Sequence, residues 1–327
     1  MSAEIITLGH GSGTGLTRKL ILEIFQPLFA MPSLEDAAQV GERTIITTDS
    51  YVVKPLFFPG SDIGELAVNG TVNDLAMKGA RPAFLMISMI IEEGLPMATL
   101  KKIAGSIASA ARKADVKVVA GDTKVVEKGR GDGIYITSSG IGYLPCDLEL
   151  STRLIRKGDM ILINGTIGDH AIAVINARND FGLTPAPQSD CAPLHEIVSN
   201  LLPDKDIHFL RDATRGGIAA IMNEVYAETG LGIILEEERI PVRREIEAVC
   251  EMLGLDPLYL ANEGKMTVFC QNNDEHILRK MRKHPLGRAA AIIGEVTDSV
   301  KGVYLRTLMG GLRPCPMIES DPLPRIC

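Results

Sequence analysis

The 327-residue chain reads as two domains of mixed helix and sheet. Two observations carry this expectation. Glycines and prolines alternate with short apolar runs along the whole length, the rhythm of an α/β or α+β protein. A polar stretch, Cys146–Gly158, then interrupts the apolar pattern near the middle and places a boundary near residue 150. The length is ample for two cores, and no repeat of solenoid period is visible.

In the first half the runs predict strands near Ile5–Leu8, Thr44–Thr48, Ala83–Ile91, Lys117–Ala120 and Ile134–Leu144. Helical spacing is found near Leu16–Leu28, Asp62–Lys78 and Thr99–Lys113. The second half opens with strand Met160–Asn164, a Gly165–Gly168 turn and helix Asp169–Ala177, and continues with helices near Leu194–Leu201, Arg215–Glu228, Val242–Leu253 and Glu275–Lys283. Strands near Ile233–Glu236, Met266–Cys270, Ala291–Val296 and Val303–Arg306 complete it. The expected domains are 1–150 and 151–312, followed by a flexible proline-rich tail, 313–327.

Composition narrows the function. Aromatic residues are only 4% and tryptophan is absent, so the cores must be aliphatic. A net charge of −7 argues against nucleic acid or an anionic membrane as the main partner. The longest apolar run, Ala83–Ile91, is too short to span a bilayer and reads as a buried strand. The N-terminus has no signal-peptide pattern. Six scattered cysteines without a C-x-x-C pair point to reduced thiols in the cytoplasm, and neither to a disulfide framework nor to a zinc or iron–sulfur site.

Several segments can carry chemistry. Gly9-His10-Gly11-Ser12-Gly13-Thr14-Gly15 stands between a short strand and a helix, where backbone N–H groups can approach a phosphate; it matches neither a P-loop nor a Rossmann loop, and a mobile linker explains it equally well. Asp49, Asp74 and Asp122 each end a strand or helix, the placement by which carboxylates converge on a Mg²⁺ ion bridging phosphates; singly, each is an ordinary turn or cap residue. Asp62 reads as a helix cap. Glu65, Asn69 and Asn73 line one helix face, as a solvated surface or as a ligand-facing stripe. Asp212-Ala213-Thr214-Arg215-Gly216-Gly217 sets an acid and a guanidinium at a helix start, for phosphate, metal or simple capping. Ala261-Asn262-Glu263-Gly264-Lys265 holds a further acid in what could be a plain hairpin turn. His170 and His195 read as structural.

The last residue is Cys327. Four prolines in the final fourteen residues favour an extended backbone, which at about 3.1 Å per residue reaches on the order of 40 Å. Such a tail is either a frayed terminus or a swinging arm with a thiol at its tip.

Taken together, Thr47–Val53, Pro55–Gly60, Asn69–Ala76, Val119–Val126, Asp212–Gly217, Leu260–Lys265 and the closing Pro324-Arg325-Ile326-Cys327 resemble the HypE family. These are the carbamoyl dehydratases of NiFe-hydrogenase maturation, within the superfamily of aminoimidazole ribonucleotide synthetase, thiamine-phosphate kinase and selenophosphate synthetase. The resemblance is nearly end to end, and the terminal Pro-Arg-Ile-Cys singles out the family. It differs in having Thr14 where a second adjacent glycine is usual, and Glu65 where lysine is common.

The resemblance implies an α+β, aminoimidazole-ribonucleotide-synthetase-like fold in two domains with a mobile tail, dimerising through the sheet of the first domain. It implies ATP and Mg²⁺ in an interdomain cleft, with Asp49, Asp74, Asp122 and Asp212 as metal ligands and Gly11, Gly13, Lys54, Asn73 and Thr123 as nucleotide contacts. The implied reaction begins when a HypF-like carbamoyltransferase loads the Cys327 sulfur. ATP then phosphorylates the carboxamide oxygen, and phosphate leaves as the N–H protons are removed, giving a thiocyanate. Lys124 and Glu263 are the expected proton-handling pair. The cyanide next passes to a HypC–HypD-like complex. The alternatives are a nucleotide-switched scaffold whose tail docks a partner, or another ATP-dependent enzyme of the superfamily, for which Cys327 is not needed.

Overall fold

A computed structural model describes residues 5–31, 35–179, 181–202, 204–271, 275–321 and 323–327. The expected strand at Ile5–Leu8 does not form. Leu8–Gly11 is a turn of 3₁₀ helix, and Ile5, Ile6 and Leu8 are exposed, with no sheet neighbour among the described residues. The next segment is helical throughout: α1 (Gly15–Leu20), a π-helical turn (Ile21–Phe25) and α2 (Gln26–Phe29). None of its residues is buried.

The first sheet is built from β1 (Ala38–Val40) and β2 (Thr44–Tyr51), a short pair β3 (Phe57–Phe58) and β4 (Ser61–Asp62) standing apart, then α3 (Ile63–Met77), β5 (Arg81–Glu92), α4 (Met97–Lys113), β6 (Lys117–Val126) and β7 (Ile134–Tyr143). Strand order is β1-β2-β7-β5-β6. Only β5 and β6, joined through α4, are parallel. Ile134, Ile136, Ser138, Gly140 and Gly142 alternate along β7 onto the buried face under α3, the period-two pattern of a sheet covered on one side. At the far edge, β6 is exposed along almost its whole length.

The second domain contains β8 (Met160–Ile163), α5 (Asp169–Asn179), α6 (His195–Leu201), β9 (Ile207–Asp212), α7 (Gly217–Thr229), β10 (Gly232–Glu236), α8 (Arg244–Leu253), β11 (Met266–Cys270), α9 (His276–Arg282), β12 (Ala291–Thr297), β13 (Val303–Arg306) and β14 (Leu312–Pro314). The order is β14-β13-β10-β12-β8-β11-β9. Every residue of β8 and β11 is buried, because both faces of the sheet are covered. Ile161, Ile163 and Phe269 pack with α7 on one side, and Leu162 and Val268 pack with α6 and α9 on the other. That is why Met160-Ile161-Leu162-Ile163 reads as a continuous apolar run rather than an alternating one.

Helix α3 joins the two halves. It lies against the first sheet and also meets α6 and β9 of the second, and thirteen of its fifteen residues are buried. Glycine at position 70 is required by this packing, since a Cβ there would stand 2.3 Å from the Tyr51 hydroxyl. The helix starts at Asp62, whose carboxylate accepts from the backbone N–H of Gly64 at 2.8 Å and of Glu65 at 3.1 Å, as its capping pattern predicts. Because the capped end is buried, Asp62→Ala should lower the unfolding free energy by about 1–2 kcal/mol, read as a shift in the urea midpoint.

Candidate active site at the docked C-terminal tail

Four chain segments deliver aspartates to one cavity of about 770 Å³. Strand β2 brings Asp49, α3 brings Asp74, the end of β9 brings Asp212, and the segment before β1 brings Asp36. Oxygens of Asp36, Asp74 and Asp212 lie within 4.8 Å of one another. The Thr47 hydroxyl, one turn of the pleat from Asp49, is 2.9 Å from the Asp74 carboxylate and 2.8 Å from the Asp36 carbonyl oxygen. Arg211 reaches Asp36 at 3.0 Å and Glu224 at 3.2 Å.

Crowding and burial set the charge state. Burial first, then the neighbouring acids, push Asp74 and Asp212 well above the usual carboxylate range. Asp36 is raised to about 6 by burial against the opposing pull of Arg211. Asp212 Oδ2 is buried with no hydrogen-bond partner. An all-oxygen set that is repelled internally and incompletely satisfied suits a hard divalent cation. Asp36 was missed by sequence reasoning, because the three-residue strand after it gives almost no periodic signal.

The tail runs into this cavity. Among the described residues (Pro322 lies outside them), its backbone is held at successive points. Pro316 O accepts from the Tyr259 hydroxyl at 3.0 Å, and the Gly15 and Leu16 N–H groups donate to Ile318 O and Glu319 O at 2.9 and 3.0 Å. Farther on, Lys54 N–H donates to Arg325 O at 3.2 Å, and Val52 N–H to Cys327 O at 3.3 Å. His170 Nε2 is 3.0 Å from Ile326 O. The Arg178 guanidinium donates to Pro324 O at 3.0 Å, to Arg325 O at 2.8 Å and to Lys54 O at 2.8 Å, tying tail and cradle together. Arg325 pairs with Asp132 and donates to Val52 O at 2.9 Å. The result is a thiol only 8% exposed at the cavity wall.

Cys327 sits beside Arg215 and within reach of the charges of Glu263 and Asp49. Burial dominates there and drives the thiol well above its ordinary value; Arg215 pulls it down, while Glu263 and Asp49 push it further up. Arg325 is turned away to Asp132, so Arg215 is the cation facing the sulfur. The docked position therefore favours a neutral sulfur substituent. By linkage, docking of the free thiol is at full strength below its ordinary pKa and weakens as pH rises above it. A carbamoylated sulfur does not ionise, and its docking lacks that dependence.

Glu263 is not a plain hairpin-turn residue. Its side chain is 3% exposed and Oε1 has no hydrogen-bond partner. Burial, then Asp212 and Asp190, raise its carboxyl well above the usual range. Its backbone is clamped: the N–H donates to Asp190 at 3.0 Å, and the carbonyl accepts from Asn73 Nδ2 at 3.3 Å.

Other expected residues have different positions. Asn73 spends its amide N–H donors on the Ala192 and Glu263 carbonyls and accepts from Leu194 N–H, so it positions Glu263, and it is not among the residues that line the cavity. Lys54 pairs with Asp132 at 3.0 Å and holds the tail through its backbone, outside the cavity. Gly13 lines the cavity, with φ of +71° and a Cβ position 2.6 Å from Arg215 Cβ. Gly11 gives its carbonyl to Arg215 at 3.0 Å and lines a smaller pocket at the tail. The glycine loop thus seats Arg215 and the tail. Asp122, Thr123 and Lys124 are not brought to the cavity of their own chain. They lie on edge strand β6, where Asp122 is in register with Ser88, Thr137 and Ser50, three strand spacings or roughly 14 Å from β2. Asp122 and Lys124 pair with each other at 2.7 Å on the exposed edge.

Comparison with known proteins gives the family and the fold. Residues 34–144 match the AIR synthase related protein N-terminal domain and residues 156–305 its C-terminal domain. Carbamoyl dehydratase HypE of Cupriavidus necator is 44% identical, over 98% of this chain and 95% of the relative. The Escherichia coli K12 protein of the same name is 43% identical, over 98% and 99%. The chain belongs to the HypE family. Among solved structures, a HypE–HypF complex superposes with a TM-score of 0.88 at 47% identity, covering 91% of this chain and 99% of that one. HypE in complex with ATP superposes at 0.84 and 41%, covering 99% and 100%. Thiamine monophosphate kinase of Aquifex aeolicus shares the fold, with a TM-score of 0.69 at 19% identity. In this chain that fold carries a terminal cysteine docked at an acidic cavity.

The docked thiol should react with iodoacetamide at pH 8 at least about tenfold more slowly than Cys327 in the free tail peptide, followed by peptide mass mapping. Arg178→Ala should remove most of that protection.

Proposed function

We propose that this chain converts a carbamoyl group on its own Cys327 sulfur into a thiocyanate at the expense of ATP, supplying cyanide for the iron of NiFe-hydrogenase. The observation that carries the reading is the placement of Cys327, a buried terminal thiol lining the same cavity as Asp49, Asp74, Asp212 and Glu263.

The atoms balance as follows. The oxygen of Cys–S–C(=O)NH₂ attacks the γ-phosphorus of ATP and ADP leaves. One N–H proton is lost, giving Cys–S–C(=NH)–OPO₃²⁻. Removal of the second N–H proton forms C≡N as the C–O bond breaks and phosphate departs, leaving Cys–S–C≡N. The buried cavity keeps water from the phosphorylated intermediate. Glu263, whose Oε1 lacks a partner, is placed to take an N–H proton, with its carboxylate form required at that moment. Arg215 steadies negative charge developing on the transferred oxygen. Asp36, Asp74 and Asp212 would hold Mg²⁺, with Asp49 beside them. The ion supplies charge neutralisation at the phosphates.

Loading outside the cavity requires the proline-rich tail, docked here, to leave its cradle. A HypF-like carbamoyltransferase is the partner that loads Cys327, and a HypC–HypD-like complex is the acceptor; both act on a thiol that must leave its cradle. A homodimer through the first sheet is supported by apolar side chains on the open face and edge, Ile46, Ile90, Val118, Val119 and Val125, a long unpaired edge that isolated chains rarely leave uncovered. The proposed roles of Asp122 in metal binding, Thr123 in nucleotide binding and Lys124 in proton relay require that assembly, since one chain does not bring them to the cavity. Residues 1–150, 151–312 and 313–327 act in this reading as sheet-dimerising domain, capping domain and carrier arm, in a cytoplasmic enzyme.

Incubation with carbamoyl phosphate, ATP and the transferase, followed by mass analysis of the C-terminal peptide, should show carbamoylation of Cys327 and then ATP-dependent loss of one water. An unmodified Cys327 sinks the proposal. On pre-carbamoylated protein, Glu263→Gln should slow water loss by at least about 100-fold, and a normal rate would remove Glu263 as the base. Val119→Asp should convert the dimer to monomer in sedimentation velocity.

A further inference from the structure

The proposed reaction leaves one buried ring beside the arm without a role. His170, which reads from the sequence as structural, lies on α5 and is fully buried. Its ring meets that of Phe58 nearly at right angles, with centroids 5.4 Å apart. Nδ1 is 2.8 Å from the Ser189 hydroxyl, and Nε2 is 3.0 Å from the carbonyl oxygen of Ile326, the residue before Cys327. Burial lowers the pKa of the ring, so it is neutral and has a single N–H. A carbonyl can only accept, so that proton stands on Nε2, and Nδ1 accepts from the Ser189 O–H. The Ser189 oxygen accepts in turn from Cys191 N–H at 3.1 Å, and its own N–H donates to Pro59 O at 2.8 Å. The next residue, Asp190, faces the base: it accepts from Glu263 N–H at 3.0 Å and pairs with Lys265 at 2.9 Å. Its backbone touches that of the Glu263 turn, where a Cβ on Gly264 would stand 2.0 Å from Asp190 O. Two adjacent residues therefore hold the peptide that ends in the sulfur and the turn that bears Glu263.

We infer that His170 is a positioning residue for the sulfur: locked by Ser189 in the tautomer that donates from Nε2, it fixes the Ile326 carbonyl and so aims the Cys327 substituent at Glu263. The inference rests on the dehydration reading above and deepens it. Arg178 holds the arm farther back, at the carbonyls of Pro324 and Arg325. At the last peptide the ring takes over, opposite the Val52 N–H that holds Cys327 O at 3.3 Å. Proton removal from a small group on sulfur depends on its direction, and a misplacement of about 1 Å is enough to cost on the order of 100-fold in rate. The ring touches main chain and not cargo, so it holds the free thiol, the carboxamide and the thiocyanate alike. It sets aim without choosing what the sulfur carries.

The test is single-turnover water loss on carbamoylated full-length protein with saturating Mg·ATP, read by mass analysis of the C-terminal peptide and normalised to the carbamoylated fraction. ATP affinity is measured separately by calorimetry. His170→Leu should slow water loss roughly 5- to 150-fold, the factor that an unmet buried hydrogen bond carries. ATP affinity should not change, because His170 is not among the residues lining the cavity, and this also shows that the variant is folded. His170→Gln, whose amide nitrogen stands near the place of the imidazole Nε2, should recover most of the lost rate. Ser189→Ala should slow the histidine protein by unlocking the tautomer. In a His170→Gln background it should cost nothing further, since an amide has no tautomer to lock. An unchanged rate in His170→Leu overturns the assignment, as does an equal loss in His170→Gln. Loss of ATP affinity in step with the rate also overturns it and marks the ring as packing only, and additive losses in the double variant overturn the tautomer lock. Absence of water loss in the carbamoylated wild-type protein would instead overturn the dehydration reading, and the role of His170 with it.

Discussion

The tail's backbone, held in a cradle of protein donors, is the constraint on which the site depends. An extended terminus loses conformational freedom when it docks, at roughly 1–2 kcal/mol per residue, and no regular structure of its own compensates. The compensation is distributed: N–H groups of Gly15, Leu16, Val52 and Lys54 and the Arg178 guanidinium take up its carbonyls, while Ile326 is buried. Arg178 contributes most per side chain, because one charged planar fork bonds three carbonyls from two segments. These contacts are near the surface and individually modest, so they hold the arm in place without making its departure prohibitive.

Electrostatics then separates carrier from catalyst. A cysteine intended to attack from inside the cavity would need a depressed pKa; burial and the nearby acids do the opposite to Cys327. The cavity suits a sulfur that arrives already acylated. The same acids are mutually repelled, and Asp74, Asp212 and Glu263 are all raised. A divalent cation and a triphosphate, bound together, would relieve that repulsion and return the aspartates to their charged forms.

The architecture was largely legible because both sheets leave strong periodic or continuous apolar patterns, as in Ile134–Tyr143 and Met160–Ile163. Strand Ile207–Asp212 was not expected, since a histidine and an arginine interrupt its short apolar run. Within the site, Asp49, Asp74, Asp212, Glu263 and Cys327 could be singled out as acids or a thiol at element ends, and they do share one cavity. What local sequence could not convey was partnership at long range. Asn73 is absorbed by carbonyls more than a hundred residues away, Arg178 earned no attention as an ordinary helix-end cation, and Asp36 lacked a recognisable element beside it. Edge position was equally invisible: nothing in Gly121-Asp122-Thr123-Lys124 says that its strand stands at the far side of a five-stranded sheet.

The claim that docking creates the reactive geometry is tested most directly by single-turnover kinetics on pre-carbamoylated protein with saturating ATP, comparing wild type with Arg178→Ala. Arg178 touches neither the cavity acids nor the sulfur, so ATP affinity should be unchanged. Thiocyanate formation should fall by at least roughly tenfold, as the lost charge-assisted hydrogen bonds shift the arm outward. An unchanged rate in Arg178→Ala would contradict the account.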